Sequence, residues 1–418
     1  MVYRWPFFLW PIACAGVLTI ISPVASAATE GPQEYTLGEI ITLALEHNPV
    51  MAGAQGAVQQ SRGQQVAAGA YLNPSISGSV GRGAIRDPST GVHVTEHTVT
   101  VKQPFEWQGK RRARQQAADA DVAGASAAMD ETRLIVTADA KVAFYRVLFA
   151  QQDMDLATQN LTMVEEVLRI VKARVAVGEA TPLETMKATV ETQKAKKEVA
   201  RAQNALVVVR AKLNMVTGGA LGKQFSIRGD FESPRQELDR ETFTARVIEQ
   251  HPSIRRLNKL VEQAEFKTIL ERESRVPNVT VHANYHREAG DESIVAGLSL
   301  PIPLWYQRQG EIDSALGAKY RAEAERLRAQ NELTQAVTLH VQEVRTANEQ
   351  LEVFETGLLK QAEQTLKVAR ISFQQGAASL LELLDSQRVY RQTLLEYVQA
   401  RADLSIALAR LERAVGGS

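Results

Sequence analysis

Two glycine-led segments carry the acidic residues whose spacing most suggests a task. Gly178-Glu179-Ala180-Thr181-Pro182-Leu183-Glu184 and Gly376-Ala377-Ala378-Ser379-Leu380-Leu381-Glu382 read as matching turns between helices. Glycine suits the φ > 0 position that ends a helix. Thr181-Pro182-x-Glu184 has the form of a capping box with Pro at the first helical position. Ser379-x-x-Glu382 is the same device without Pro. Capping accounts for Glu184 and Glu382, which would favour the positive end of the following helix. Asp385 lies beyond the capping position, three residues after Glu382 and on roughly the same helical face, so capping does not account for it.

The histidines suggest metal chemistry, and their spacing argues against it. His282 and His286 share a strand face with Asn278, Thr280 and Asn284, and His93 and His97 share a face of another strand. Imidazoles four residues apart on a strand are about 13 Å apart, too far for one metal to bridge. His47 and His251 precede Pro at matching helix ends and read as structural. His340 lies mid-helix with no carboxylate–histidine motif around it. No G-x-S-x-G, H-E-x-x-H or Walker A sequence is present, and Gly78-x-x-Gly81-x-Gly83 has the wrong spacing for a dinucleotide fingerprint. The sequence therefore predicts no enzyme, no cofactor and no bound metal.

Composition narrows the classes further. The 418 residues carry 48 basic and 48 acidic side chains, so no basic surplus exists to collect nucleic-acid phosphates. A mean hydropathy of −0.19 excludes a polytopic helical membrane protein. Residues 1–27 form an expected export signal: Arg4, an apolar run over 7–21, then Ala25-Ser26-Ala27 as a cleavage site. The one cysteine, Cys14, falls inside it. Lipidation at Cys14 is a second reading, opposed by Pro11 where a lipobox carries Leu.

The elements that must position these residues repeat. Glu46-His47-Asn48-Pro49 matches Glu249-Gln250-His251-Pro252 at an offset of 203, as does Asn73-Pro74 with Val276-Pro277. Gly178 pairs with Gly376, Leu183-Glu184 with Leu381-Glu382, and Leu213 with Leu411, all at 198. Residues 28–218 and 239–418 are thus two copies of one unit, with 219–238 as linker. Each unit reads helix, strand, strand, very long helix, helix. In the first, 37–70 is expected as one helix, 75–81 and 92–103 as strands, and 110–177 as an unbroken helix. In the second, 279–286 and 294–300 alternate apolar and polar residues as strands do, and 310–375 is expected as one helix. In the last helix Tyr390, Leu394, Tyr397, Arg401, Leu404, Leu408, Leu411 and Val415 form a heptad seam with one charged interruption.

The predicted fold class is mainly α with a small β part. Four strands of about 8–12 residues suit a tilted membrane barrel, yet four cannot close one, and open edges cannot stay unpaired in lipid. Eight strands would fill with side chains, whereas twelve leave a lumen. Three chains would supply twelve.

The whole of 28–418 resembles the TolC-like outer-membrane efflux factors. Phe373-x-x-Gly376-x-x-Ser379-Leu380-Leu381-Glu382-Leu383-Leu384-Asp385-Ser386-Gln387-Arg388 resembles the family's periplasmic hairpin tip. Gln103-Pro104-Phe105-Glu106-Trp107-Gln108-Gly109 and Leu300-Pro301-Ile302-Pro303-Leu304-Trp305 resemble its strand-to-helix turns, most similar to those of the cobalt-zinc-cadmium resistance branch. The resemblance implies a homotrimer with a shared 12-stranded barrel in outer-membrane lipid and a long coiled-coil barrel in the periplasm. It also implies a periplasmic adaptor and an inner-membrane pump of the resistance-nodulation-division type as partners, with heavy-metal cations as cargo. Export of drugs or type I protein secretion is the alternative, and a periplasmic coiled-coil adaptor the more distant one. Glu184, Glu382 and Asp385 match acidic positions lining the family's periplasmic aperture, where three-fold rings would attract cations. Gly178, Glu179, Thr181, Gly376, Ala377 and Ser379 are the expected adaptor contacts, and His282 and His286 are expected to face the lumen. Ala378 stands where some relatives carry a basic latch residue, so their salt-bridge lock does not transfer.

Overall fold

A computed structural model describes residues 33–84, 93–222, 224–233, 239–288 and 291–417. The expected export signal and Cys14 lie outside the described residues. In chain order the elements are β1 (Gln33–Tyr35), α1 (Leu37–His47), α2 (Pro49–Gly69), β2 (Ser75–Ala84), β3 (His93–Phe105), α3 (Gln108–Ala176) and α4 (Pro182–Val216). The second half follows with β4 (Phe225–Ile227), α5 (Arg240–Gln250), α6 (Pro252–Glu273), β5 (Val279–Glu288), β6 (Asp291–Ser299), α7 (Gln309–Val353), α8 (Leu359–Gln374) and α9 (Leu380–Val415). α3 is continuous over 69 residues, about 100 Å long.

Two expected helices are broken. The one expected over 37–70 divides at Asn48, whose ψ of 124° is extended. Pro49 lacks an amide hydrogen and disfavours αR in the residue before it. His251, with ψ of 130° before Pro252, divides α5 from α6 in the same way. The helix expected over 310–375 is interrupted by a π-helical turn at Phe354–Leu358, with Gly357 at non-helical φ/ψ. Glycine is a weak helix former, and an inserted residue of this kind is a usual cause of a helix irregularity. Phe354 there packs 6.0 Å from the Tyr397 ring of α9.

The breaks at Asn48 and His251 carry a repeated capping device. Asn48 Oδ1 accepts from the Val50 amide at 2.9 Å, while its Nδ2 donates to the Val216 carbonyl at the end of α4 at 2.9 Å. His251 substitutes for it in the second repeat. Its Nδ1 accepts from the Ser253 amide at 3.2 Å, and Nε2 faces the Arg413 carbonyl of α9 at 3.3 Å. Those partners require a neutral ring protonated on Nε2. Burial pushes the His251 pKa below its ordinary 6.5, against an opposing hydrogen bond to Arg413. Its contribution to stability is therefore fully present above about pH 6.5 and is lost as pH falls through the folded-state value. His251→Asn is expected to flatten this dependence, because Asn makes both bonds without titrating. Thermal unfolding between about pH 5 and about pH 7.5 should show a wild-type loss on the order of 1 kcal/mol that the variant lacks. Equal slopes would refute the assignment.

The four long strands make one antiparallel sheet in the order β2-β3-β5-β6, and β3–β5 pairing joins the two repeats. A second, two-stranded parallel sheet pairs β1 with β4. The chain between the repeats is thereby folded into the core. Phe225, Ile227 and Phe231 pack with Ile40, Phe144, Tyr145 and Leu213. A second cluster gathers Val247 of α5, Val337 and Val344 of α7, and Leu404, Leu408 and Leu411 of α9. The expected α9 seam is present at Leu404, Leu408, Leu411 and Val415, but Ser405, Ile406, Ala407 and Ala409 are buried as well. α9 packs against both α3 and α7, so its last turns are covered on more than one side.

Candidate functional site

The hairpin tips close with the same geometry in both repeats. Gly178 and Gly376 have φ of +79° and +76°. The Gly178 amide donates to Val175 and the Glu179 amide to Arg174. Gly376 donates to Phe373 and Ala377 to Ser372, at 2.8–3.2 Å throughout. This left-handed glycine cap satisfies carbonyls left over at a helix end. Val167 and Val171 of α3, Ala188 of α4, Phe373 of α8, and Leu380 and Leu383 of α9 then bury one another. Gly178, Glu179, Thr181, Gly376, Ala377 and Ser379 are all exposed at this end of the molecule.

The three acidic residues differ in their partners. Glu382 makes the expected capping box. Its carboxylate accepts from the Ser379 amide at 2.7 Å and from the Ser379 hydroxyl at 3.1 Å. Those bonds, the backbone one first, hold its carboxyl below the usual range. The box expected at Thr181 does not form. The Glu184 amide donates to the Thr181 carbonyl at 3.0 Å instead, and the half-buried Glu184 carboxylate makes no hydrogen bond or ion pair among the described residues. Asp385 pairs with Arg388 one turn on, both side chains being exposed. The pair lines a cleft of about 440 Å³ between α4 and α9, with Lys187 and Glu191 opposite.

Arg174 was not singled out from sequence. Its guanidinium lies 4.9 Å over the Phe373 ring and donates to the Gln374 carbonyl at 3.4 Å, tying one tip to the other. Only the packing of α3 against α8 reveals this, because the partners are about 200 residues apart in sequence. Arg388, the last residue of the tip motif, partly neutralises Asp385.

The sheet separates into two faces by register. Ile76, Val99, Val101, Ala283, Tyr285, Ile294 and Leu298 are set in line on one face. Ser77, Thr98, Thr100, His282, Asn284 and His286 are set on the other. Ile294 and Leu298 are 79% and 73% exposed in the single chain. His282 and His286 do share the polar face. The His282 ring lies against Gly297, where a Cβ would come within 2.6 Å of it. His286 Nδ1 meets the Thr98 hydroxyl at 3.0 Å, and Glu96 and Glu288 lie 3.5 Å from its ring nitrogens. His97, registered with Val80 and Arg287, falls on the apolar parity instead. Among the described residues no cluster of three or more His, Cys, Asp or Glu could hold a metal ion. No helix among them is long and apolar enough to cross a membrane, which says nothing about the strands.

The family model described as "Outer membrane efflux protein" matches residues 40–219 and 245–417. The chain belongs to that family. This efflux protein is 25% identical over 404 residues to the cobalt-zinc-cadmium resistance protein CzcC of Cupriavidus metallidurans, covering 95% of this chain and 93% of the relative. It is 25% identical over 315 residues to the nickel-cobalt-cadmium resistance protein NccC of Alcaligenes xylosoxydans, covering 74% and 70%. Its fold is similar to that of a membrane protein from Pseudomonas aeruginosa, with a TM-score of 0.80 at 18% identity over 93% and 91% of the two chains. The CmeC outer membrane channel of Campylobacter jejuni gives 0.78 at 16% identity over 91% and 85%. The efflux protein is an outer-membrane channel component with a long helical region, and not an enzyme.

Proposed function

We propose that three copies form the exit duct of a tripartite heavy-metal efflux system. The observation that carries this reading is the open sheet: four paired strands with two free edges and one exposed apolar face. Unpaired edges are not tolerated in lipid, so β2 of one copy pairs with β6 of the next and the apolar face meets the membrane. The polar face, with His282 and His286, then lines the lumen. Exposed apolar side chains on α4 (Leu183, Met186, Val190) and on α8 (Val368, Ile371) supply the helical contacts between copies.

Glu184, Glu382 and Asp385 form acidic rings at the periplasmic aperture, which favour cation passage. The exposed tip residues, Gly178 to Thr181 and Gly376 to Ser379, receive the periplasmic adaptor, and a pump of the resistance-nodulation-division type supplies the energy. Residues 1–27 are removed on export. The names of the two curated relatives support metal cations as cargo. Deleting the gene is expected to lower tolerance to cobalt, zinc or cadmium and to leave tolerance to hydrophobic drugs unchanged, as read from growth inhibition. The reverse pattern would assign the duct to drug export.

A further inference from the structure

Exposed aromatic and aliphatic side chains gather in the collar of chain segments that join the strands to the helices, where Phe105 ends the apolar face. Tyr71, Phe105 and Trp107 stand there in the first repeat, and Ile302, Leu304, Trp305 and Tyr306 in the second. Several polar ends are already tied to protein. The Trp107 indole donates to Glu273 at 2.8 Å and the Tyr306 hydroxyl to Glu311 at 2.6 Å. Trp305 differs, being 91% exposed with no hydrogen bond among the described residues.

Charge in the collar is unequally satisfied. Glu106 is held by Arg114, Glu271 by Arg308 and Glu273 by Trp107. Arg111 donates to the Gly69 carbonyl and stacks 4.2 Å over Tyr71. Arg112, Arg272 and Arg275 are exposed and make no ion pair or side-chain hydrogen bond among the described residues. Arg112 lies in the second turn of α3, after β3, Arg272 in the last turn of α6, and Arg275 just past that helix, before β5. Three free guanidinium groups and an exposed amphipathic indole, all near the helix-side ends of the strands, suit a membrane interface.

We propose that this collar binds anionic glycerophospholipid of the leaflet facing the long helices. Trp305 enters the boundary between headgroup and acyl chains, and Arg112, Arg272 and Arg275 take the phosphate charge. This assignment rests on the channel reading, which fixes the sheet in the membrane but does not by itself require any lipid preference. The collar differs between repeats, since Trp107 is held by Glu273 and only Trp305 is free to anchor.

The chain offers its own probe. Its four tryptophans are Trp5, Trp10, Trp107 and Trp305, and the first two leave with the expected signal. In exported Trp107→Phe protein the fluorescence thus reports Trp305 alone. The protein is placed in bilayers containing brominated phosphatidylglycerol or brominated phosphatidylcholine at equal mole fraction. Both lipids are expected to quench Trp305, with phosphatidylglycerol favoured by about threefold. Exchanging Arg112, Arg272 and Arg275 together for Gln should bring that ratio to about one while quenching and heat-stable trimers remain. Absence of quenching, equal quenching in the Trp107→Phe protein, or a preference unchanged in the arginine variant would each overturn the lipid site. Conductance and trimer stability are read in the same vesicles. If both persist without quenching, only the lipid site is lost; if both are absent, the channel reading goes with it.

Discussion

Replacing Asp385 by alanine is expected to lower the cation-over-anion permeability ratio of reconstituted channels by about fivefold. The effect comes from two changes at once. Each chain loses a carboxylate, and Arg388, which Asp385 now holds, is left as an unpaired cation at the same level. In the proposed trimer both changes occur three times. Stability should hardly change, because an exposed ion pair of this kind contributes about 0–1 kcal/mol. The Asp385→Ala/Arg388→Ala double variant separates the terms. It restores the local charge balance and is expected to recover most of the selectivity through Glu184 and Glu382. The Glu382 carboxylate stays charged to lower pH than an ordinary one, since Ser379 stabilises the ionised form. A single variant with unchanged selectivity would remove Asp385 from the aperture.

Val101→Lys is expected to abolish heat-stable trimers, whereas Thr100→Lys, one residue away, should leave them intact. Val101 stands mid-strand on the apolar face, registered with Ile76 and Ala283, and Thr100 stands on the polar face, registered with Ser77 and Asn284. Lysine facing lipid near the bilayer midplane costs about 2–4 kcal/mol, and the same charge in a water-filled lumen costs little. Every trimer would carry that cost three times. Resistance to dissociation on unboiled gels reads the outcome. Equal behaviour of the two variants, or the reverse order, would contradict the assignment of faces.

Much of this architecture is legible in sequence because it is built from simple periodicities. The period-two pattern at residues 279–286 gives both strand and face, and the absence of proline over 110–177 gives α3. The reading fails where one local signal competes with another. Pro49 is a landmark of the repeat and also a helix break, and the helical pattern on either side of it hides the second role. Gly357 lies in an otherwise helical pattern, and the π turn beside it depends on where Phe354 packs. The capping form at Thr181 matches the one at Ser379, yet only Ser379 makes the box. Contacts between distant segments are harder still. Nothing near Arg174 in sequence points to Phe373, and nothing near His251 points to the carbonyl of Arg413. The pairing of β1 with β4 involves three residues on each side, too few to carry a strand pattern.

In the proposed assembly three chains complete one barrel and one helical tunnel. Electron cryomicroscopy of the protein purified from the outer-membrane fraction tests it most directly. The expected particle has three-fold symmetry, a single shared β-barrel of twelve strands, and a helical extension about 100 Å long. Particles of a single chain, or a ring of any other symmetry, would contradict it.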